Sequence, residues 1–204
     1  MNKHFRLIKS AIFMACLLPL GLLVFDGFQN NLTANPIEYV IHQTGIWTLR
    51  LLLVTLAMTP LKIMTSSALF IRMRRMLGLF TFFYASLHMI IYFWLDLGLD
   101  WQLIIEDIIE HIYVTAGMLA WLLMLPMAIT SNRVMIRKLG KTWKRLHQSI
   151  YVVIGLGCLH FIWLVKSDIT EPLIYTGIGL SLLLFRIVHY YHGQRTANKR
   201  QSPT

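Results

Sequence analysis

Residues 76–95 read MLGLFTFFYASLHMIIYFWL, twenty positions without one Asp, Glu, Lys or Arg and with a single imidazole, His88. A helix rises about 1.5 Å per residue, so a stretch of about 20 apolar residues crosses the roughly 30 Å hydrocarbon layer of a bilayer. This segment is therefore expected to be a membrane crossing. Outward from it the same pattern recurs at residues 10–25, 46–61, 112–129, 149–165 and 173–184. The first, second and last of these are short, and flanking Lys9, Lys62 and Arg186 are expected to snorkel their charges to phosphate level. Only helices and closed barrels satisfy every backbone polar group in lipid, and the period-two alternation of a barrel strand is missing. The expected fold class is all-α, a polytopic bundle of six transmembrane helices forming a single domain over residues 1–204.

Composition agrees, with 56% hydrophobic residues and a mean hydropathy of +0.60, well beyond a water-soluble domain. Charge then sets an expected orientation. All nine acids fall in or beside three connections: Asp26 and Glu38, then Asp96 to Glu110, then Asp168 and Glu171. Apart from Arg50 and Lys166, the bases occupy the two termini and the two remaining connections. Both termini are thus expected in the cytoplasm by the positive-inside rule. The same rule explains the net charge of +10, because the bases form no single groove-sized patch and nucleic-acid binding is not expected. Residues 1–25, with a basic start and an apolar middle, are read as a retained anchor because no small-residue cleavage site follows them. Cys16 and Cys158 stand alone on different crossings, outside any C-x-x-C or C-x-x-C-H pattern, and read as small core residues.

Ionisable side chains inside hydrocarbon are costly and ask for a partner. His88, His147 and His160 are so placed, and haem iron is the partner that best suits imidazoles in a helical bundle. The third and fifth crossings run in the same direction, and both His88 and His160 lie about 12 residues, or roughly 18 Å, from the basic edge. Two helices can clamp one haem between residues at a shared depth. His147 lies 13 residues before His160, at the basic edge, and is a candidate for a second haem. Its counterpart 14 residues before His88 is Arg74, suited to a propionate or an anionic headgroup and not to iron. On an ideal helix 14 residues bring Arg74 back to within about 40° of the face of His88, whereas 13 residues leave about 140° between His147 and His160. Gly155 and Gly157, or an irregular turn around His147, are the places where that mismatch would be relieved. Arg50, one turn inside the acidic edge, is a candidate partner for a propionate of the outer haem, with outward snorkelling the competing reading. His42, His111, His4, His189 and His192 stand near span edges and read as interfacial. The eleven methionines read as core filling.

Three motifs carry a resemblance. Residues 72–79, RMRRMLGL, leading to Leu87 and His88; residues 137–141, RKLGK, leading through Trp143 to Leu146 and His147; and residues 159–163, LHFIW, are similar to the MsrQ (YedZ) family along nearly the whole chain. His42-Gln43-Thr44-Gly45 also falls in a recognisable motif of that family. The family resembles the membrane domain of ferric reductases and NADPH oxidases, whose histidines 13 or 14 residues apart on two helices hold b-type haems. The resemblance implies His88, His147 and His160 as ligands of one or two haem b groups, with Arg74 in the place of a fourth histidine. It also implies FMN, although no flavin fingerprint occurs in the sequence. Functionally it implies an inner-membrane electron conduit from the quinone pool to a periplasmic molybdenum enzyme that reduces methionine sulfoxide in oxidised proteins, the membrane chain being the electron-transfer subunit of that pair.

Physical arguments are compatible with that role. The roughly 20 residues after the last crossing cannot house an FAD and nicotinamide domain, so electrons are expected from quinol or from a docking flavin or reductase. The outer connections are too small to bind and repair a protein substrate, so a partner outside is expected. The acidic stretch Asp96 to Glu110 is one docking candidate, a solvated short helix being its other reading. The basic stretch Arg133 to Arg145 reads as interfacial, or as a site for an anionic flavin phosphate. Two further functions stay open on the residues alone: a stand-alone ferric or cupric reductase, and a proton-coupled transporter or assembly factor with a histidine relay.

Overall fold

A computed structural model describes the backbone of residues 3–201 and the side chains of residues 3–192. Arg195, Lys199 and Arg200, part of the positive-inside reading, lie outside the described side chains. The described chain is helical: α1 (Lys3–Phe28), α2 (Pro36–Thr65), α3 (Ala68–Ile91) with a π-helical turn at Tyr92–Asp96, α4 (Trp101–Glu110), α5 (Ile112–Ile129), α6 (Arg133–Leu139), α7 (Lys141–Gln148), α8 (Ile150–Leu164) and α9 (Thr170–Gln201). Six helical stretches are long and apolar enough to cross a membrane, α3 with its π turn and α7 with α8 each counting as one.

Helix starts follow local chemistry. Asn35 accepts a hydrogen bond from the Glu38 amide and donates one to its carboxylate, with Pro36 at the first helical position. Asp100 caps α4 through the Gln102 amide and Asn132 caps α6 through the Met135 amide. Several helices run beyond the apolar cores read from the sequence. α1 begins at Lys3 instead of residue 10, and α2 spans Pro36–Thr65 instead of 46–61. Hydropathy marks where lipid begins, whereas the helix continues as long as its own backbone bonds and caps hold it.

α2 packs most closely on α3, and α5 on α8; α3 meets α5 and α2 meets α8, closing a four-helix centre with α1 and α9 outside it. Half of the α2 span is buried against 6% of the α1 span, which leaves α1 facing lipid. In lipid, association rests on close packing and polar contacts. Gly78 lets α3 approach the Thr55 methyl of α2, and Gly179 lets α9 sit on Leu53 and Ile154.

Two helices are repaired at proline by a neighbour's side chain. Pro60 has no N–H for the Leu56 carbonyl, and Arg186 of α9 donates to that carbonyl at 2.7 Å. Next to Pro19, the buried Tyr84 of α3 inserts its hydroxyl into the α1 ladder. Leu20 N–H donates to it at 3.2 Å, and it donates to the Cys16 carbonyl at 2.8 Å.

Candidate functional site

α2, α3, α5 and α8 line a cavity of about 620 Å³ that reaches the acid-bearing end of the bundle. That size falls within the roughly 300–1,000 Å³ of cofactor pockets. His88 from α3 and His160 from α8 both line it, so the shared depth read from the sequence brings the two rings together across one cavity. Their centres are 6.1 Å apart with planes at 87°. Two imidazoles bound to one metal from opposite sides, through bonds of about 2 Å, have ring centres about 6 Å apart.

Backbone carbonyls fix the tautomers. His88 Nδ1 lies 2.9 Å from the Ile41 carbonyl and His160 Nδ1 lies 2.7 Å from the Tyr113 carbonyl. A carbonyl only accepts, so each Nδ1 carries the proton and each Nε2 keeps its lone pair, the state a metal requires. Thr44, fully buried, donates to the carbonyls one turn back and sets its oxygen 3.4 Å from His88 Nδ1.

Glycines make room for the rings. A Cβ on Gly45 would stand 3.1 Å from the His88 ring, and one on Gly117 would stand 2.8 Å from His160 Nδ1. Each imidazole therefore rests against the bare backbone of the neighbouring helix, which no other residue type permits without moving it. Among the described residues no group of three or more His, Cys, Asp or Glu side chains is placed to hold a metal ion, so a metal between His88 and His160 would take its remaining ligands from a group other than the protein. A planar macrocycle would fit those terms, with His88 and His160 able to hold its metal, Leu49, Leu52, Trp121 and Phe161 as an apolar wall, and Glu38, Asp96 and Lys166 among the polar lining.

The other predicted residues lie elsewhere. His147 is on α7, just before a seam at Ser149 where the helix is re-formed as α8. The irregularity thus falls at Ser149, while Gly155 and Gly157 lie inside a continuous helix. The His147 ring stacks on Trp143 at 3.8 Å, holds the Trp143 carbonyl through Nδ1 and meets Ser131 through Nε2. Arg74 shares electrostatic neighbours with it: Arg74 interacts with His147, Tyr151 and Arg186 at the basic end. Arg50 does not line the cavity. Its Nε donates to Tyr175 at 2.8 Å, and its guanidinium covers the Trp47 ring at 5.0 Å.

Several residues escaped the sequence reading. Gly45 and Gly117 form the cradle, and His42, read as interfacial, lines the cavity against Phe161. Lys166 stands at its mouth. Its signal was available, since Lys166 and Arg50 are the two bases that break the charge pattern.

Fold and site together define a polytopic helical membrane protein with a facing imidazole pair. Residues 44–158 match the family of ferric reductase like transmembrane components. Over 201 residues the chain is 47% identical to the protein-methionine-sulfoxide reductase heme-binding subunit MsrQ of Xanthomonas campestris pv. campestris strain B100, covering 96% of this chain and 92% of that protein. It is 46% identical, with the same coverage, to the protein of that name from Xanthomonas euvesicatoria pv. vesicatoria strain 85-10. The protein of that name from Herminiimonas arsenicoxydans is 44% identical over 89% of this chain and 84% of its own length. The chain belongs to the MsrQ family within the ferric reductase-like transmembrane proteins.

Proposed function

We propose that the chain is a single transmembrane domain that holds one haem b between His88 and His160 and passes electrons from the quinone pool of the bacterial inner membrane to a periplasmic, molybdenum-dependent methionine sulfoxide reductase. The observation that carries this reading is the imidazole pair, 6.1 Å apart, with both Nδ1 atoms committed to carbonyls. Bound haem supplies one-electron chemistry. The chain's residues set its position: Ile41 and Tyr113 orient the imidazoles, Gly45 and Gly117 admit them, and Lys166 offers a cation to a propionate. The acid-bearing end faces the periplasm and both termini face the cytoplasm. There the acidic α4 region meets the partner, which performs the sulfoxide chemistry and the repair. His147, with Arg74 and Arg186 nearby, is the place for any second haem, and the basic stretch 133–145 is the place for an FMN phosphate.

The test is haem quantification and visible spectroscopy on the purified full chain. His88→Ala and His160→Ala are each expected to abolish the bis-imidazole spectrum. Retention of that spectrum in both variants overturns the assignment. Efficient reduction of a ferric chelate without any partner would instead favour the stand-alone reductase.

A further inference from the structure

A second cavity, about 190 Å³, lies between α1 and α2 at the same end of the bundle. It is too small for a macrocycle and has room for a single substituted ring. Pro19, Leu22 and Asp26 of α1 line one side, Tyr39, Gln43, Thr44 and Trp47 of α2 the other, and Tyr84 of α3 the floor. The interrupted α1 ladder is what holds this floor in place, since Tyr84 anchors α1 beside Pro19 through its hydroxyl. Leu22 is 53% exposed on a helix that faces lipid, so the cavity is reached from the bilayer.

Its lining is unlike a cleft for an acyl chain. Asp26, Gln43 and the Tyr39 hydroxyl bring polar groups into this membrane-facing recess, while the Thr44 and Tyr84 hydroxyls are taken up by backbone carbonyls. Flat aromatic walls accompany them, and the Arg50 guanidinium over Trp47 at 5.0 Å fixes one of those walls. A lipid-soluble molecule with an aromatic ring and oxygens at opposite edges matches both properties. Thr44 belongs to this wall and also sits 3.4 Å from His88 Nδ1, while the next residue, Gly45, touches the His88 ring from the other cavity. One residue's thickness separates the two sites.

We propose that this cavity binds a hydroquinone headgroup, with Gln43 and Tyr39 holding its oxygens, Trp47 packing on its ring and Asp26 accepting a proton. The inference rests on the electron-conduit reading above and gives it a donor site. On oxidation the hydroquinone breaks two O–H bonds and becomes the quinone. Its two electrons would leave one at a time across Thr44 toward His88, and a haem held by His88 and His160 would supply the one-electron acceptor that passes each on to the partner. Its two protons leave through the Asp26 carboxylate to water at the acid-bearing end.

The test uses the purified full chain with its haem, an alkyl hydroxyquinoline N-oxide whose fluorescence is quenched on binding, and decyl-ubiquinol as reductant. Gln43→Leu is expected to weaken N-oxide binding at least tenfold and to slow haem reduction by the quinol, with the Soret spectrum and reduction by dithionite unchanged. Leu22→Trp, which fills the recess from the lipid side without removing a polar group, is expected to do the same. Asp26→Asn is expected to retain binding while slowing quinol oxidation. Absence of N-oxide binding to the unaltered protein, or unchanged affinity in both Gln43→Leu and Leu22→Trp, overturns the site. Retained N-oxide binding at Gln43 in a haem-loaded chain whose haem the quinol does not reduce would instead overturn the conduit reading and leave the pocket standing.

Discussion

His160 and His147 sit on one nearly continuous stretch of chain, yet their surroundings differ in two respects that matter for holding a metal. His160 meets a second imidazole across a cavity and lies against a bare glycine. His147 is stacked on Trp143 and engages Ser131 with the nitrogen a metal would need. Each has its Nδ1 tied to a carbonyl, so a fixed tautomer is shared and does not discriminate. What discriminates is a facing imidazole and a helix without a side chain beside it. Spacing along the sequence places a histidine at a depth; the neighbouring helices decide what the depth is for.

The largest effect that breaks or upholds this contrast is spectral. Replacing His160 by Ala is expected to remove the bis-imidazole absorption, and replacing His147 by Ala is expected to leave it in place. Equal losses in the two variants, read by Soret and α-band spectra with haem quantified per chain, would abolish the distinction between the regions.

Next in size is the glycine cradle. Gly117→Val and Gly45→Val are expected to lower haem content severely while the chain still folds, since they push the imidazoles out of position without removing them. The graded pair Gly117→Ala and Gly45→Ala sharpens the point. The Gly117 substitution is expected to lose more haem, because its Cβ would stand at 2.8 Å from the ring against 3.1 Å at Gly45. Equal haem content in the two alanine variants, measured by pyridine haemochrome, would contradict it.

The crossings and the His88–His160 pairing were legible because both depend on one-dimensional quantities, apolar length and depth along a helix. Six spans, their order and the two rings on one level needed only counting. Gly45 and Gly117 were not legible, because their role exists only toward the neighbouring helix, and nothing in the sequence says which glycine faces which ring. His42 is exposed, as an edge position should be, yet its place beside the cavity was hidden for a related reason. The apolar core seemed to begin at residue 46, whereas α2 is capped at Asn35 and carries His42 inside a regular helix, against the cavity. The mismatch in angle between His147 and His160 was visible, but its location at Ser149 was set by how α7 meets α5 and α8.

A middle-sized effect separates stability from spectrum at the basic end. Arg186 supplies the hydrogen bond that Pro60 denies the Leu56 carbonyl. Arg186→Met leaves that acceptor unsatisfied in a buried position, at a cost of about 1–3 kcal/mol. A lowered unfolding temperature in detergent, with the outer-cavity spectrum unaltered in the folded fraction, is expected. A spectral change in the folded protein would mean that the two ends are coupled.

The smallest effect is expected from His147→Phe, which asks whether the inner histidine acts through its ring or through its nitrogens. Phenylalanine keeps the stack on Trp143 and gives up the contacts to the Trp143 carbonyl and Ser131. The Trp143 carbonyl loses its side-chain donor, while the Ser131 hydroxyl retains its hydrogen bond to the Met127 carbonyl at 2.8 Å. The loss should therefore be at the low end of a single neutral hydrogen bond, about 0.5–1.5 kcal/mol. If the ring is structural, His147→Phe unfolds close to the unaltered protein and His147→Ala well below it. If the nitrogens hold a second cofactor, the phenylalanine and alanine variants lose the same share of total haem, and the inner region would have to be described as a site in its own right.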